Sequence, residues 1–303
     1  MNLLLHDRTV MSLARPRIMG ILNLTPDSFS DGGLYSDPEQ AVRHGLSLAE
    51  QGADLIDAGG ESTRPGAKRI GADEQIKRVV PVIRALRRRL DERFPLVPIS
   101  IDTTRAEVAE AAVDAGATVL NDISAGREDP RMLSLAAERG LPIVLMHMQG
   151  EPGTMQDRPH YTDVVAEVRG FLLKRVEAAR SAGVERGRIV LDPGIGFGKS
   201  AEHNLALLRA ISVFVETGYP VLVGASRKRF LAGFGVESAT DAGAMTSGGQ
   251  KINDRLGGTC AATAYCVMAG VKLLRVHDVA PNRQAAGLAE ALRAPKTRAG
   301  EEI

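Results

Sequence analysis

One local unit recurs five times along the chain: a glycine, a short connector, and then an apolar run rich in Val, Ile and Leu. It stands at Gly52-Ala53-Asp54-Leu55-Ile56, Gly116-Ala117-Thr118-Val119-Leu120, Gly140-Leu141-Pro142-Ile143-Val144-Leu145, Gly218-Tyr219-Pro220-Val221-Leu222-Val223 and Gly270-Val271-Lys272-Leu273-Leu274. Glycine suits the left-handed position that ends a helix. A short, almost wholly apolar strand is what a parallel sheet covered on both faces demands. The unit therefore reads as a helix-to-strand joint. Three further apolar runs, at residues 18–22, 97–101 and 189–191, bring the strands to eight.

Helix signals fill the segments between. Asp37-Pro38 offers an N-cap followed by proline at the first helical position, with Val42, Leu46 and Ala49 on one face. Thr104 with Glu107 reads as a capping box, and Asp129-Pro130 repeats the cap and proline pair. Val79, Ile83, Leu86 and Leu90 form a stripe, leaving Arg84, Arg87, Arg88 and Arg89 for a solvated face. Eight strands alternating with helices over 303 residues predict a (β/α)₈ TIM barrel in a single domain, with an open doubly wound sheet as the runner-up. The core is expected at about 17–292, with an extended loop at 231–254 and a charged tail at 293–303.

Composition narrows the function. Apolar residues are 44% of the chain, enough for a packed core. With 38 Lys and Arg against 37 Asp and Glu, no overall field exists to hold nucleic acid or an anionic membrane. Aromatics are 4% and Trp is absent, which removes the stacking platforms of single-strand binders. Cys260 and Cys266 lie on one predicted helix and would face different ways, so no disulfide is expected. The start of the chain shows no signal segment and no long apolar run occurs, so a cytoplasmic setting is expected.

In such barrels, catalytic groups sit at the C-terminal ends of the strands. Those ends carry Asn23, Asp57, Asp102, Asn121 with Asp122, His147, Asp192, Ser226 and His277. Asp102, Asn121 and Asp192 offer carboxylate and amide edges suited to a nitrogen-rich ring whose N–H groups donate side by side. For Asp102 alone, a helix cap at a strand end is an equal reading. A second set is cationic: Arg64, Lys228, and Arg275 with His277, which at period two face the same way. Placing Arg275 and His277 in a barrel interior calls for an anion at its mouth, and a phosphate or pyrophosphate fits.

Several tempting motifs fail. The run at 192–200 lacks the first glycine of a Walker A loop because Pro193 stands there. Gly224-Ala225-Ser226-Arg227-Lys228 lacks the closing glycine of a nucleophile elbow. The histidines show no zinc spacing; His6, His44, His160 and His203 read as surface residues and His147 is left open.

Residues 19–33, Met-Gly-Ile-Leu-Asn-Leu-Thr-Pro-Asp-Ser-Phe-Ser-Asp-Gly-Gly, closely resemble the first signature of dihydropteroate synthases. Residues 57–66, Asp-Ala-Gly-Gly-Glu-Ser-Thr-Arg-Pro-Gly, resemble the second. Ser-Ile-Asp, Asn-Asp, Asp-Pro-Gly-Ile-Gly-Phe, Ser-Arg-Lys and Arg-Val-His follow in the family's order, over about 17–279. The resemblance implies condensation of dihydropterin pyrophosphate with p-aminobenzoate, giving dihydropteroate and pyrophosphate in folate synthesis. Carried over by motif, it implies that Asp102, Asn121, Met146, Asp192 and Lys228 hold the pterin, and that Thr63, Arg64, Arg275 and His277 hold the pyrophosphate. Phe29, Thr63, Pro65, Phe197 and Ser226 would border the p-aminobenzoate pocket. Asn23 would meet Mg²⁺, while Asp31, on a closing loop, joins Asp102, Lys228, Arg275 and His277 as the catalytic set. A homodimer through the outer helices near the C-terminus is also implied, although the Ala/Gly-rich stretch at 261–270 could equally face the barrel. The stretch at 235–249, rich in Gly, Ser, Thr and Ala, departs from the family pattern, so the response to sulfonamides stays open. A corrinoid-type pterin-binding methyltransferase domain and a non-catalytic pterin-binding paralogue are the alternatives; the first has no need of the pyrophosphate cradle, and with every motif position filled nothing in the sequence supports the second.

Overall fold

The computed structural model describes residues 1–6, 9–25, 38–62, 69–151, 153–234 and 255–293. A short antiparallel hairpin, β1 (Asn2–Leu4) and β2 (Val10–Ser12), precedes the barrel. The barrel strands are β3 (Arg17–Asn23), β4 (Leu55–Gly59), β5 (Ile99–Asp102), β6 (Val119–Asp122), β7 (Ile143–Met146), β8 (Ile189–Asp192), β9 (Leu222–Val223) and β10 (Leu273–Val276). The helices are α1 (Pro38–Glu50), α2 (Ala72–Arg93), α3 (Ala106–Asp114), α4 (Arg131–Glu138), α5 (Val164–Ser181), α6 (Ala201–Arg209), α7 (Ser212–Val215), α8 (Leu256–Met268) and α9 (Val279–Arg293). The strands pair in parallel in the order β8-β7-β6-β5-β4-β3-β10-β9, and the bridge Leu191↔Val221 joins the ends into a nearly closed barrel. The (β/α)₈ expectation holds, and the open sheet does not.

All five joint glycines have positive φ, from +58° at Gly140 to +118° at Gly116, and Gly183 at +99° supplies a sixth ahead of β8. Strand alternation then separates two surfaces. Ile18, Leu22, Ile56, Ile101, Leu120, Leu145, Leu191 and Leu274 face outward into the helical layer. Met19, Leu55, Val144, Val190, Leu222 and Leu273 form a separate cluster with Leu3, Met11 and Leu13. Several of these residues sit early in their strands, so the N-terminal hairpin closes that end of the barrel and the site is left to the other. The barrel itself begins at Arg17, and this plug adds buried residues ahead of it. Strands of three residues carry too little periodicity to be read before their partners are known.

Local capping differs from expectation at α3. Its N-terminus has no capping box: Thr104 Oγ1 donates to Glu128 (2.7 Å), and the Ala106 N–H donates to Asp129 Oδ2 (2.8 Å). The other oxygen of Asp129 accepts from the Arg131 N–H (3.0 Å), so one carboxylate serves the starts of two helices. The α2 stripe is buried as predicted. The segment expected to be a loop from 231 begins as a short 3₁₀ turn, Arg229–Phe234, with Leu231 buried; residues 235–254 and 294–303 lie outside the described residues. Both cysteines are free, Cys266 buried and Cys260 half-buried. Among the described residues, no helix is long and apolar enough to cross a membrane.

Candidate active site

The C-terminal ends of the strands converge on one small cavity lined by Asp102, Asn121, Ile123, Met146, Asp192, Gly194, Ile195, Phe197, Gly224, Lys228 and Arg275. Asp102, Asn121 and Asp192 come from β5, β6 and β8, and Met146 from β7, because the inward side of each strand recurs every second residue. All five residues expected to hold a pterin line this cavity, as does Phe197. A second, more open hollow on the outer layer, between Asp163, Arg169, Val213 and Glu216, gathers no comparable set.

Charge is arranged in a linked chain. Arg275 Nε donates to Asp57 Oδ2 (2.6 Å) and Arg275 Nη2 to Asp102 Oδ2 (2.7 Å). Asn121 Nδ2 donates to the same Asp57 oxygen (2.9 Å). Burial pushes the Asp102 carboxyl up to about 7 against the pull of Arg275. Burial likewise lifts Asp192 to about 6, opposed by the Gly194 N–H (2.7 Å) and by Lys228. Lys228 is pushed down to about 8 by burial, with Asp192 opposing, and its Nζ lies 3.9 Å from the Phe197 ring centroid. Two carboxylates and two cations thus line a cavity walled by Met146, Ile123 and Phe197, with Asp57 behind Arg275. Acceptor groups set against an apolar wall suit a flat ring that donates from one edge.

Two expectations about the cationic set need correction. The anions that permit Arg275 in the barrel are the protein's own Asp57 and Asp102. A bound phosphate is not needed to explain its burial. His277 is not a cation in the free protein: burial, Arg275 and Arg227 press it down to about 3. The His277 backbone N–H donates to Ser226 Oγ (3.1 Å), whose hydroxyl faces His277 Nδ1 at 3.0 Å. With Nδ1 accepting from that hydroxyl, Nε2 carries the proton and is a neutral donor. Ser226 is accordingly bonded to His277. Arg227, at φ +57°, clamps this loop by donating twice to Asp278.

Other strand-end residues serve the frame. Asp122 accepts the Ser124 and Gly126 N–H groups (2.7 and 2.6 Å) and shapes the turn after β6. His147, left open from sequence, packs against Phe171 and meets Lys199 Nζ at 3.0 Å. The glycines of the 192–200 run are there for close approach. A Cβ on Gly194 would stand 1.9 Å from His147 O, and one on Gly196 would stand 2.7 Å from Lys228 Cδ. Lys199 points inward, donating to Phe197 O (3.0 Å), so the Walker-like lysine braces the ring wall.

Phe29, Asp31, Thr63, Arg64 and Pro65 lie outside the described residues. Asn23 ends β3 in register with Gly59, which is in register with Asp102, so its amide stands on the same rim. Among the described residues, no three His, Cys, Asp or Glu side chains cluster as a metal site. A lone amide oxygen fits Mg²⁺ carried by a diphosphate, which keeps water ligands, rather than a closed protein cage. Asp57 is the residue to which sequence reasoning gave no role. A carboxylate inside the apolar run Leu55-Ile56-Asp57-Ala58 was a visible signal, but its partner Arg275 lies 218 positions away.

The fold and cavity place the chain among enzymes that grip a flat heterocycle at a barrel mouth, and the family model described as pterin binding enzyme matches residues 19–277. A dihydropteroate synthase of Synechocystis sp. is 43% identical over 284 residues, covering 92% of this chain and 90% of its own. The solved Xanthomonas albilineans dihydropteroate synthase with 4-aminobenzoic acid is 44% identical, with a TM-score of 0.84 over 97% of this chain and 98% of that one. The same organism's enzyme in complex with 7,8-dihydropteroate superposes with a TM-score of 0.81 at 41% identity, over 97% and 100% of the two chains. The chain belongs to the dihydropteroate synthase family, and it is a transferase.

Proposed function

We propose that the chain joins 6-hydroxymethyl-7,8-dihydropterin pyrophosphate to p-aminobenzoate, forming 7,8-dihydropteroate and releasing pyrophosphate, in folate biosynthesis. The observation that carries this reading is the convergence of Asp102, Asn121 and Asp192 with Lys228 and Arg275 in one cavity. The acceptors and Lys228 match the edge of a pterin, and Arg275 matches a departing anion. Asp102, Asn121 and Asp192 take the ring N–H groups, Met146 lies against the ring, and Lys228 donates to a ring acceptor. Arg275, with Nε and Nη2 held by carboxylates, turns the rest of its guanidinium toward the diphosphate, where the His277 Nε2–H adds a neutral donor. Thr63 and Arg64 would complete that grip.

We read the substitution as dissociative. No nucleophilic side chain takes part: the methylene C–O bond breaks with its electron pair leaving on pyrophosphate. The ring-conjugated cation is stabilised by Asp102 and Asp192, and the amine nitrogen of p-aminobenzoate then adds and loses a proton. Asp31 belongs to this catalytic set by motif. Mg²⁺, held by Asn23 and the diphosphate, would supply positive charge to the leaving group. Phe29, Pro65, Phe197 and Ser226 would border the amine pocket, where a sulfonamide would compete.

Tyr265 and Met268 on α8 and Leu288 and Leu292 on α9 are exposed, while Thr263, Cys266 and Val267 of α8 are buried. One face of α8 thus packs inward and the other is free, which supports a homodimer through these outer helices, readable by analytical ultracentrifugation. Pyrophosphate release measured with and without p-aminobenzoate tests the function. Release that needs both substrates is expected. Release that ignores p-aminobenzoate, or pterin binding without turnover, would overturn the reading.

A further inference from the structure

The side chain of Asp57 is fully buried, outside the lining of the cavity, yet it touches both halves of the site. Its Oδ2 accepts from Asn121 Nδ2 and from Arg275 Nε, at 2.9 and 2.6 Å. An ionised carboxylate can only accept, so the amide of Asn121 must turn its NH₂ toward Asp57. That leaves Asn121 Oδ1 as the atom free to meet a ligand in the cavity that Asn121 lines. The same carboxylate oxygen fixes Arg275 at Nε, while Asp102 fixes it at Nη2, so the guanidinium is held in one plane between two strands. The other oxygen of Asp57, Oδ1, is buried without a hydrogen-bond partner among the described residues, a cost that packing alone would not require.

We propose that Asp57 is a positioning residue: it makes Asn121 an acceptor toward the pterin, thereby selecting a ring edge that donates, and it orients Arg275 toward the diphosphate. This deepens the function proposed above and rests on it. A neutral amide at position 57 can donate as well as accept. It would let Asn121 rotate and present NH₂ to the ring N–H groups, where donor would meet donor. Exchanging the two residues reverses this. The amide at 57 donates to the carboxylate at 121, whose second oxygen again faces the cavity as an acceptor, while Arg275 loses its acceptor at 57, since both partners meet one oxygen in the wild type, and is held by Asp102 alone.

Calorimetric titration with 6-hydroxymethyl-7,8-dihydropterin, which carries no diphosphate, separates these outcomes when run on the wild type, Asp57→Asn, and the exchange Asp57→Asn/Asn121→Asp. Expected is a loss of about tenfold or more in dihydropterin affinity for Asp57→Asn and recovery to within about threefold in the exchange. KM for p-aminobenzoate should be unmoved in Asp57→Asn, while KM for the pterin substrate rises; a general loss of folding would lower the apparent kcat and move neither. Unchanged dihydropterin affinity in Asp57→Asn overturns the proposal. So does an exchange variant that binds no better than Asp57→Asn. If Asp57→Asn does not fold, the exchange variant decides alone, near-native binding supporting the assignment and absent binding overturning it. A wild-type chain that fails to bind the dihydropterin overturns the function itself, a result distinct from failure of the exchange.

Discussion

Arg275→Ala removes the group on which the charge arrangement turns. The guanidinium sits 2.6 Å from Asp57 and 2.7 Å from Asp102, with its side chain one-fifth exposed. Deleting a donor aimed at developing charge typically costs roughly 3 to 4 kcal/mol of barrier, so kcat should fall about 100-fold to 1,000-fold. Stability should fall as well, because breaking a buried pair from one side leaves carboxylates uncompensated, at about 3 to 5 kcal/mol. That second loss has a pH signature. Asp102 has a folded value raised from 3.8 to about 7, so between those values the folded state holds a proton that the unfolded state has lost. Stability therefore declines as pH rises through that window. Without Arg275 the folded value climbs further, so the decline should steepen and extend above pH 7. Steady-state pyrophosphate release at saturating substrates, with thermal melts at pH 5.5 and pH 8, measures both effects. A rate within about threefold of the wild type, or equal destabilisation at the two pH values, would refute the reasoning.

Gly196→Ala should weaken pterin binding more than it destabilises the fold, because the new Cβ would meet the flexible Lys228 chain at 2.7 Å, with only about 1 to 2 kcal/mol of left-handed strain; titration with pterin alongside a melt checks this. Lys199 is pressed from 10.5 down to about 7 by burial, so the unfolded chain binds the extra proton between those values and stability should rise with pH there. Lys199→Met should flatten that rise in melts from pH 7 to 10. Leu3→Ala opens the hairpin plug and should cost about 2 to 5 kcal/mol in denaturant unfolding while leaving kcat near the wild-type value.

Much of the architecture was legible because barrel strands obey local rules. Each apolar run and each joint glycine announces itself within a few residues, and the strand that follows must be buried on both sides. The same rule placed Asp102, Asn121 and Asp192 on one rim, and the cavity holds them together. The N-terminal plug was not legible, since Leu3 and Met11 have meaning only against Met19, Val190 and Leu273. Nor was the shared cap of Asp129, which serves a helix that begins 23 positions earlier in the chain.

By itself the sequence determined the eight strands, the inward period of their side chains and the supply of acids, amides and cations at one end, since each follows from neighbours in the chain. Only the tertiary structure decided how those charges are shared. Arg275 reaches Asp57 across 218 positions and Asp102 across 173, and His277 stays neutral because closure of the barrel buries it beside other cations. Electrostatics depends on distance in space and on exclusion of water, and neither exists until the first and last strands meet.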